Sequence, residues 1–366
     1  MTTQIDAYKP ELSTICPYPV RRYAARAADQ LLYAVLIWII KGYVFDINLL
    51  AQAQGGGLLL DLVLSTLLFL LLEPLWLRFT GTTPGKAVFG IHLRSRSGGK
   101  LTFAEARTRT FDVWMYGMGF GVPLLNLYRA YKSFRICEEN DVLQWDSDTY
   151  FLLTARFHYR HGRTTGIFIA VLAGSMAVSI LLALNQMLPP NRGPLTVPEF
   201  TENYRYYQRY YGMDGGETYL NDEGRWIGRS SDESGAVIIS LGYSPSLPFE
   251  FELEGGQIAK ISFDHRLRTK KDAVGSFYIQ RFLSSMAFIG AGENLLSIGA
   301  LPGKLLDTFS EHPFEDYETA VEGVTIRESN ETKGYEQLIA QEGFGFLKPK
   351  DNKDEYLYEF MFELIR

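Results

Sequence analysis

IFIAVLAGSMAVSILLAL, Ile167–Leu184, is a run of eighteen residues without a charge. Crossing a bilayer core of about 30 Å takes about 20 mostly apolar residues in helical form. Arg163 precedes the run and Pro189-Pro190 follows it, so a span over roughly 165–188 is expected rather than a buried core helix. Working outward, LLYAVLIWII closes a second apolar stretch at roughly 23–41, and LLLDLVLSTLLFLLLEPLWL forms a third at roughly 58–77. The overall balance, 46% hydrophobic and 21% charged, hides these runs. Residues 1–164 hold 18 basic and 13 acidic side chains, or +5, and residues 165–366 hold 18 and 29, or −11. The chain therefore reads as a membrane part followed by an acidic soluble part. The net charge of −6 argues against a nucleic-acid partner. Two cysteines exclude a framework of several disulfides, and five scattered histidines leave little for a metal centre. No metal or cofactor is expected.

Basic residues orient the spans. Arg21, Arg22 and Arg26 precede the first. A dense group from Arg78 to Arg109 follows the second, and another from Arg129 to Arg163 precedes the last. In the apolar region 103–135, Gly117, Gly119, Gly121 and Pro123 interrupt a continuous helix. A hairpin entering from the cytoplasm keeps every basic group inside; a full crossing is the competing reading. With the hairpin, the N-terminus is cytoplasmic and everything beyond about 190 lies outside the cytoplasm, on a multi-pass protein of the cell membrane. The first span keeps Asp29 and lacks a nearby cleavage triplet, which favours a retained anchor over a signal peptide.

Charge within a membrane is costly and suggests function. Arg22, Arg26 and Asp29 share one helical face. The two arginines reach toward headgroups and neutralise Asp29 locally, or Asp29 lines a polar path. Asp61, near the outer end of the second span, is expected to be solvated. Glu73 lies at a depth similar to Asp29, before Pro74, which should loosen the helix. Gly81, Thr83, Pro84, Gly85 and Lys86 form a Gly-x-x-x-Gly-Lys string. One spacer is missing for a phosphate loop, and Ala87 replaces the hydroxyl that would hold magnesium. A fixed turn at the membrane exit is expected, with Lys86 at the phosphate headgroups. His158 and His161 lie among arginines, a segment suited to anionic lipid. Ala170, Gly174 and Val178 permit close packing against another span or a second copy, so a homo-oligomer or another membrane protein is a candidate partner.

RRYAARAADQLL and GTTPGKAVFGIHL, then SGGKLTFAEARTRT, an apolar hairpin and LQWDSDTYFLL, resemble the RDD family in order over roughly 15–155. The resemblance implies a bacterial-type helical membrane module without a settled general activity, for which transport is often suggested. It matches Arg22 and Asp29 to the first arginine and aspartate, and Asp146 to the second aspartate. Gln-Trp-Asp stands where Leu-His-Asp is usual, so Asp148 stays an alternative. Arg26 replaces a usual apolar residue. Gly81, Thr83, Pro84, Gly85, Lys86 and Gly90 carry the family's most specific motif.

Residues 189–195 read as a stiff linker. From 196 to 366 the pattern is α+β, long enough to bury its own core. Thr196 and Pro198 open a helix bearing Phe200, Tyr204, Tyr207 and Tyr211 on one face, against its own domain or the bilayer surface. AVIISLGY, PFEFELEGGQIAKISFDHR with a turn at Gly255-Gly256, TAVEGVTIRES and EYLYEFMFELIR read as strands. SFYIQRFLSSMAFIGA and Lys304–Ser310 read as helices. No catalytic constellation emerges, so no enzyme is expected. Arg22, Arg26, Asp29, Glu73 and Asp146 are the expected polar site. Two roles follow: transport of ions or small solutes, its substrate unread, or a non-transporting anchor or sensor whose exported domain binds an envelope partner or ligand.

Overall fold

The computed structural model describes residues 5–7, 19–54, 56–139, 141–154, 161–213, 218–228, 246–269, 274–339, 345–350 and 355–366. The expected strand AVIISLGY and the segment around His158 lie outside them. The chain divides into two compact units, Met1–Ala183 and Leu184–Arg366.

Three helices are long and apolar enough to cross a membrane. They belong to α1 (Pro19–Tyr43), α3 (Gly57–Phe79) and α7 (His161–Met187). A short α2 (Leu49–Gln54) precedes α3. In α3 the buried side chains Asp61, Ser65, Phe69, Glu73 and Leu77 recur every four residues, one stripe of the helix. Its leucines, among them Leu59, Leu67 and Leu71, stay exposed. This pattern suits lipid on one side and a polar seam on the other. Pro74 sits inside a continuous helix, so the expected loosening does not end α3.

Asp61 corrects the expectation of solvation. It is buried, paired with Lys41, and accepts hydrogen bonds from Trp38 Nε1 at 2.9 Å and Gln52 Nε2 at 3.2 Å. A carboxylate shielded from water needs such donors. Region 103–135 is split into α5 (Phe103–Asp112) and α6 (Pro123–Glu138), 10 and 16 residues long, with α4 (Pro84–Val88) preceding them. One π-type turn and one 3-10 turn separate α5 from α6; Gly119, Phe120 and Gly121 all have positive φ. Neither helix alone has the length of a span. A three-stranded antiparallel sheet, ordered β1 (Ile5–Ala7), β3 (Thr149–Thr154), β2 (Ile91–Ser95), completes the unit.

Side chains on the small-residue face of α7 are uncovered: an added Cβ at Gly174 would meet nothing within 4 Å. No described helix of the chain packs there.

The second unit is α+β. In α8 (Val197–Tyr210), Thr196 and Glu199 form a reciprocal cap. Phe200, Tyr204 and Tyr207 are buried in the domain's own core, which decides against a bilayer-surface role for that face. Nearly every residue of α9 (Tyr278–Ile289) is buried, the polar Gln280, Arg281, Ser284 and Ser285 among them. With α10 (Leu301–Glu311) it covers an antiparallel sheet. The sheet order is β6 (Glu250–Glu254), β7 (Gln257–Leu267), β13 (Leu357–Ile365), β10 (Val324–Lys333), β9 (Tyr317–Val321). Gly255 and Gly256, both at positive φ, turn the β6–β7 hairpin as its spacing predicts. Two smaller sheets pair β4 (Thr218–Leu220) with β5 (Trp226–Gly228), and β12 (Gly345–Pro349) with β11 (Tyr335–Ile339) and β8 (Val274–Gly275).

Candidate functional site

Buried charge in the membrane unit gathers where α1, α3, α4 and α5 meet. Ala24, Ala25 and Ala28 keep one side of α1 low. This lets the Gly85 turn approach: a Cβ on Gly85 would stand 2.3 Å from the Ala25 carbonyl oxygen. Thr83 caps α4, accepting from the Lys86 amide at 3.2 Å, and Pro84 occupies the first turn. Asp29 then receives the Thr83 hydroxyl at 2.5 Å and the Gly85 amide at 2.6 Å. Asp29 is therefore held by donors of the turn after α3, with Lys86 as its ion-pair partner, and not neutralised by Arg22 or Arg26 as expected. A carboxylate holding a helix N-terminus meets donors already aimed at it.

Glu73 is fully buried and takes two cations. Arg26 donates to both of its oxygens at 3.1 and 3.0 Å, and Lys86 Nζ donates to Oε1. Lys86 Nζ also lies 4.0 Å from Asp29. This overturns the expectation of Lys86 at the headgroups: it is 6% exposed and points into the cluster. Burial pushes the Lys86 ammonium below its ordinary range against the pull of Glu73.

Asp146, from the single 3-10 turn Gln144–Asp146, pairs with Arg22 and with Arg109 at 2.9 Å. Burial pushes its carboxyl up, but Arg22 and Arg109 outweigh burial and hold it below the usual carboxylate range. The alternative, Asp148, is exposed and 3.7 Å from the exposed Arg96, outside these ion-pair groups. Arg22 also lies over the Phe151 ring at 4.3 Å and Arg26 over Phe69 at 4.8 Å. Gly81 and Gly90 shape the turn on either side, both at positive φ. Arg21 donates to the Phe89 and Gly90 carbonyls.

All five expected polar residues thus lie in two adjoining ion-pair groups. The sequence reading missed Arg109, which it counted only among basic residues orienting the chain. Its signal was faint: Arg109 falls one turn after the buried Ala106 on a helix capped by Thr102 and Glu105. Beside these groups lies a cavity of about 680 Å³, whose wall includes Arg22, Arg26, Lys86 and Arg109.

The order of motifs and this geometry agree with the family comparison. Residues 16–186 match the RDD family. The match extends beyond the hairpin and strand to take in most of α7. No family matches the C-terminal half. No curated protein and no solved structure matches the chain.

Proposed function

We propose that this RDD-like unit handles a small solute in its half-open cavity, and that residues 196–366 are displayed outside the cytoplasm. One observation carries the solute reading: the 680 Å³ cavity is lined by four cations of the ion-pair cluster. The three carboxylates behind them are occupied by arginine, lysine, hydroxyl and amide donors. A metal cation would have to displace those donors. An anion would meet charge of the opposite sign, so the solute is anionic.

Flux of chloride, phosphate and small carboxylates into vesicles holding the full chain tests this. Permeation of at least one anion above empty vesicles, removed by Ala130→Trp in the cavity wall, is the expected result. Anion flux equal to that of empty vesicles across the panel would sink transport.

The orientation rests on the basic residues flanking α1, α3 and α7. One observation favours the opposite placing: Cys137 is disulfide-bonded, a state that persists in oxidising compartments. Single cysteines at Asp148 and Glu223, in a background lacking Cys16 and Cys137, decide it. Under the proposed orientation an impermeant reagent added to intact cells labels position 223 alone. Labelling at 148 alone puts the C-terminal unit in the cytoplasm, through a full crossing of 103–135 or a reversed orientation.

A further inference from the structure

The cavity beside the ion-pair cluster is lined by cations and by a larger apolar wall. Among its described lining residues, Arg22, Arg26, Lys86 and Arg109 are charged, and all four are cations. Asp29, Glu73 and Asp146 stand behind them and line no part of it. Arg109 is 5% exposed, and its Nε and Nη1 hydrogens meet no acceptor among the described residues. A buried donor without an acceptor is costly. A phosphate oxygen is the acceptor best matched to a guanidinium, since the contact is charge-assisted and planar.

Beyond the cations the wall is apolar, with Leu31, Val113, Met118, Leu127 and Leu172. The lining on α1 runs from Pro19 to Leu31, roughly 18 Å at helical rise. The α6 wall presents Asn126, Ala130 and Ser133 on one face, while neighbouring Leu127 and Tyr131 are exposed apolar surface at the rim. A free phosphate would satisfy Arg109 and leave the apolar wall uncovered. A chain-bearing phosphate covers both.

We propose that the cavity holds one anionic phospholipid, its phosphate at Arg109 and the neighbouring cations and an acyl chain along Leu31, Met118 and Leu127. This rests on the reading of the cavity as a ligand site and names the ligand's class. The headgroup lies at the end where α1 begins, and the acyl chain reaches toward the turn between α5 and α6.

The test uses the full chain in detergent, with native mass spectrometry and thermal unfolding. Phosphatidylglycerol, phosphatidylcholine and inorganic phosphate are compared. One phosphatidylglycerol retained per chain, with an unfolding midpoint raised by about 5 °C near saturation, is expected. Phosphatidylcholine and phosphate should give no comparable shift. Ala130→Trp should abolish the shift. The double change Arg109→Gln with Asp146→Asn removes a cation and its partner together. Arg22 also loses Asp146, so both midpoints should fall; the difference between the midpoints in phosphatidylglycerol and phosphatidylcholine should vanish. Equal shifts from both lipids, an equal shift from phosphate alone, or a phosphatidylglycerol shift that survives Ala130→Trp each overturn the proposal. Failure here with anion flux still blocked by Ala130→Trp would leave the solute reading standing and only the lipid class wrong. Selective lipid retention without anion flux would do the reverse.

Discussion

Glu73 stands between two cations with no access to water. Replacing it with Gln leaves Arg26 and Lys86 buried and facing a neutral amide, and removing one partner from a buried pair costs about 3–5 kcal/mol. Glu73→Gln should lower the unfolding midpoint of the detergent-solubilised chain far more than Asp148→Asn. The latter alters an exposed group and should stay within about 0.5 kcal/mol of the parent. Gly85→Ala probes the same cluster sterically. Its new methyl would fall 2.3 Å from the Ala25 carbonyl oxygen and 2.8 Å from Asp29 Cγ. α1 and the α4 turn must then separate, at about 1–3 kcal/mol or more, read by the same melting experiment. Asp146 adds a pH dependence. Its folded carboxyl titrates below the ordinary 3.8, so the unfolded chain takes up the proton first. The stabilisation is complete well above 3.8 and disappears as pH falls through the lower folded value. Asp146→Asn should flatten that acid limb of the midpoint-against-pH curve; an unchanged limb would assign it to other carboxylates.

At the scale of elements, local chemistry made some pieces legible and geometry hid others. The spans announce themselves because lipid demands an unbroken apolar length. The β6–β7 hairpin shows because Gly255-Gly256 takes the positive φ that a tight turn needs, whereas TAVEGVTIRES reads as strand without the turn that Glu322-Gly323, also at positive φ, makes between β9 and β10. α8 shows through its Thr-x-x-Glu cap. Thr196→Ala should therefore weaken α8 by about 1 kcal/mol, visible as a lower midpoint for the C-terminal unit. The stripe at Arg22, Arg26 and Asp29 was legible as a face but not as a set of partners. Those partners sit 124, 47 and 56 positions away, on elements whose approach depends on Gly85 and the alanines of α1. Lys86 was misplaced for the same reason: nothing local reveals that α4 packs against α1 and sends Lys86 to Glu73. The burial of Asp61 depends likewise on Lys41 and Gln52 reaching it from other elements.

Across the whole molecule the two units hide charge in different ways. The membrane unit shares each of Glu73 and Asp146 between two cations. In the C-terminal unit a fully buried Arg281 pairs with Glu328 alone, and its Nε and Nη2 find no acceptor among the described residues. Arg281→Met alone should strand Glu328 and cost about 3–5 kcal/mol, whereas Arg281→Met with Glu328→Leu should recover most of that loss. Denaturant melts of the full chain, followed by tryptophan emission, compare the single and double changes. Equal destabilisation in both would show that the pair is needed as a unit.

The order of the central sheet has a bearing on how the protein is made. β13 lies between β7 and β10, yet it follows both in the chain. A ribosome releases the two flanking hairpins first, each with one bare edge that only β13 can close. Until that strand emerges, the half-built sheet offers those edges to chaperones, proteases and other nascent chains. Completion of the domain is therefore timed by the arrival of residues 357–365 rather than by the strands that precede them.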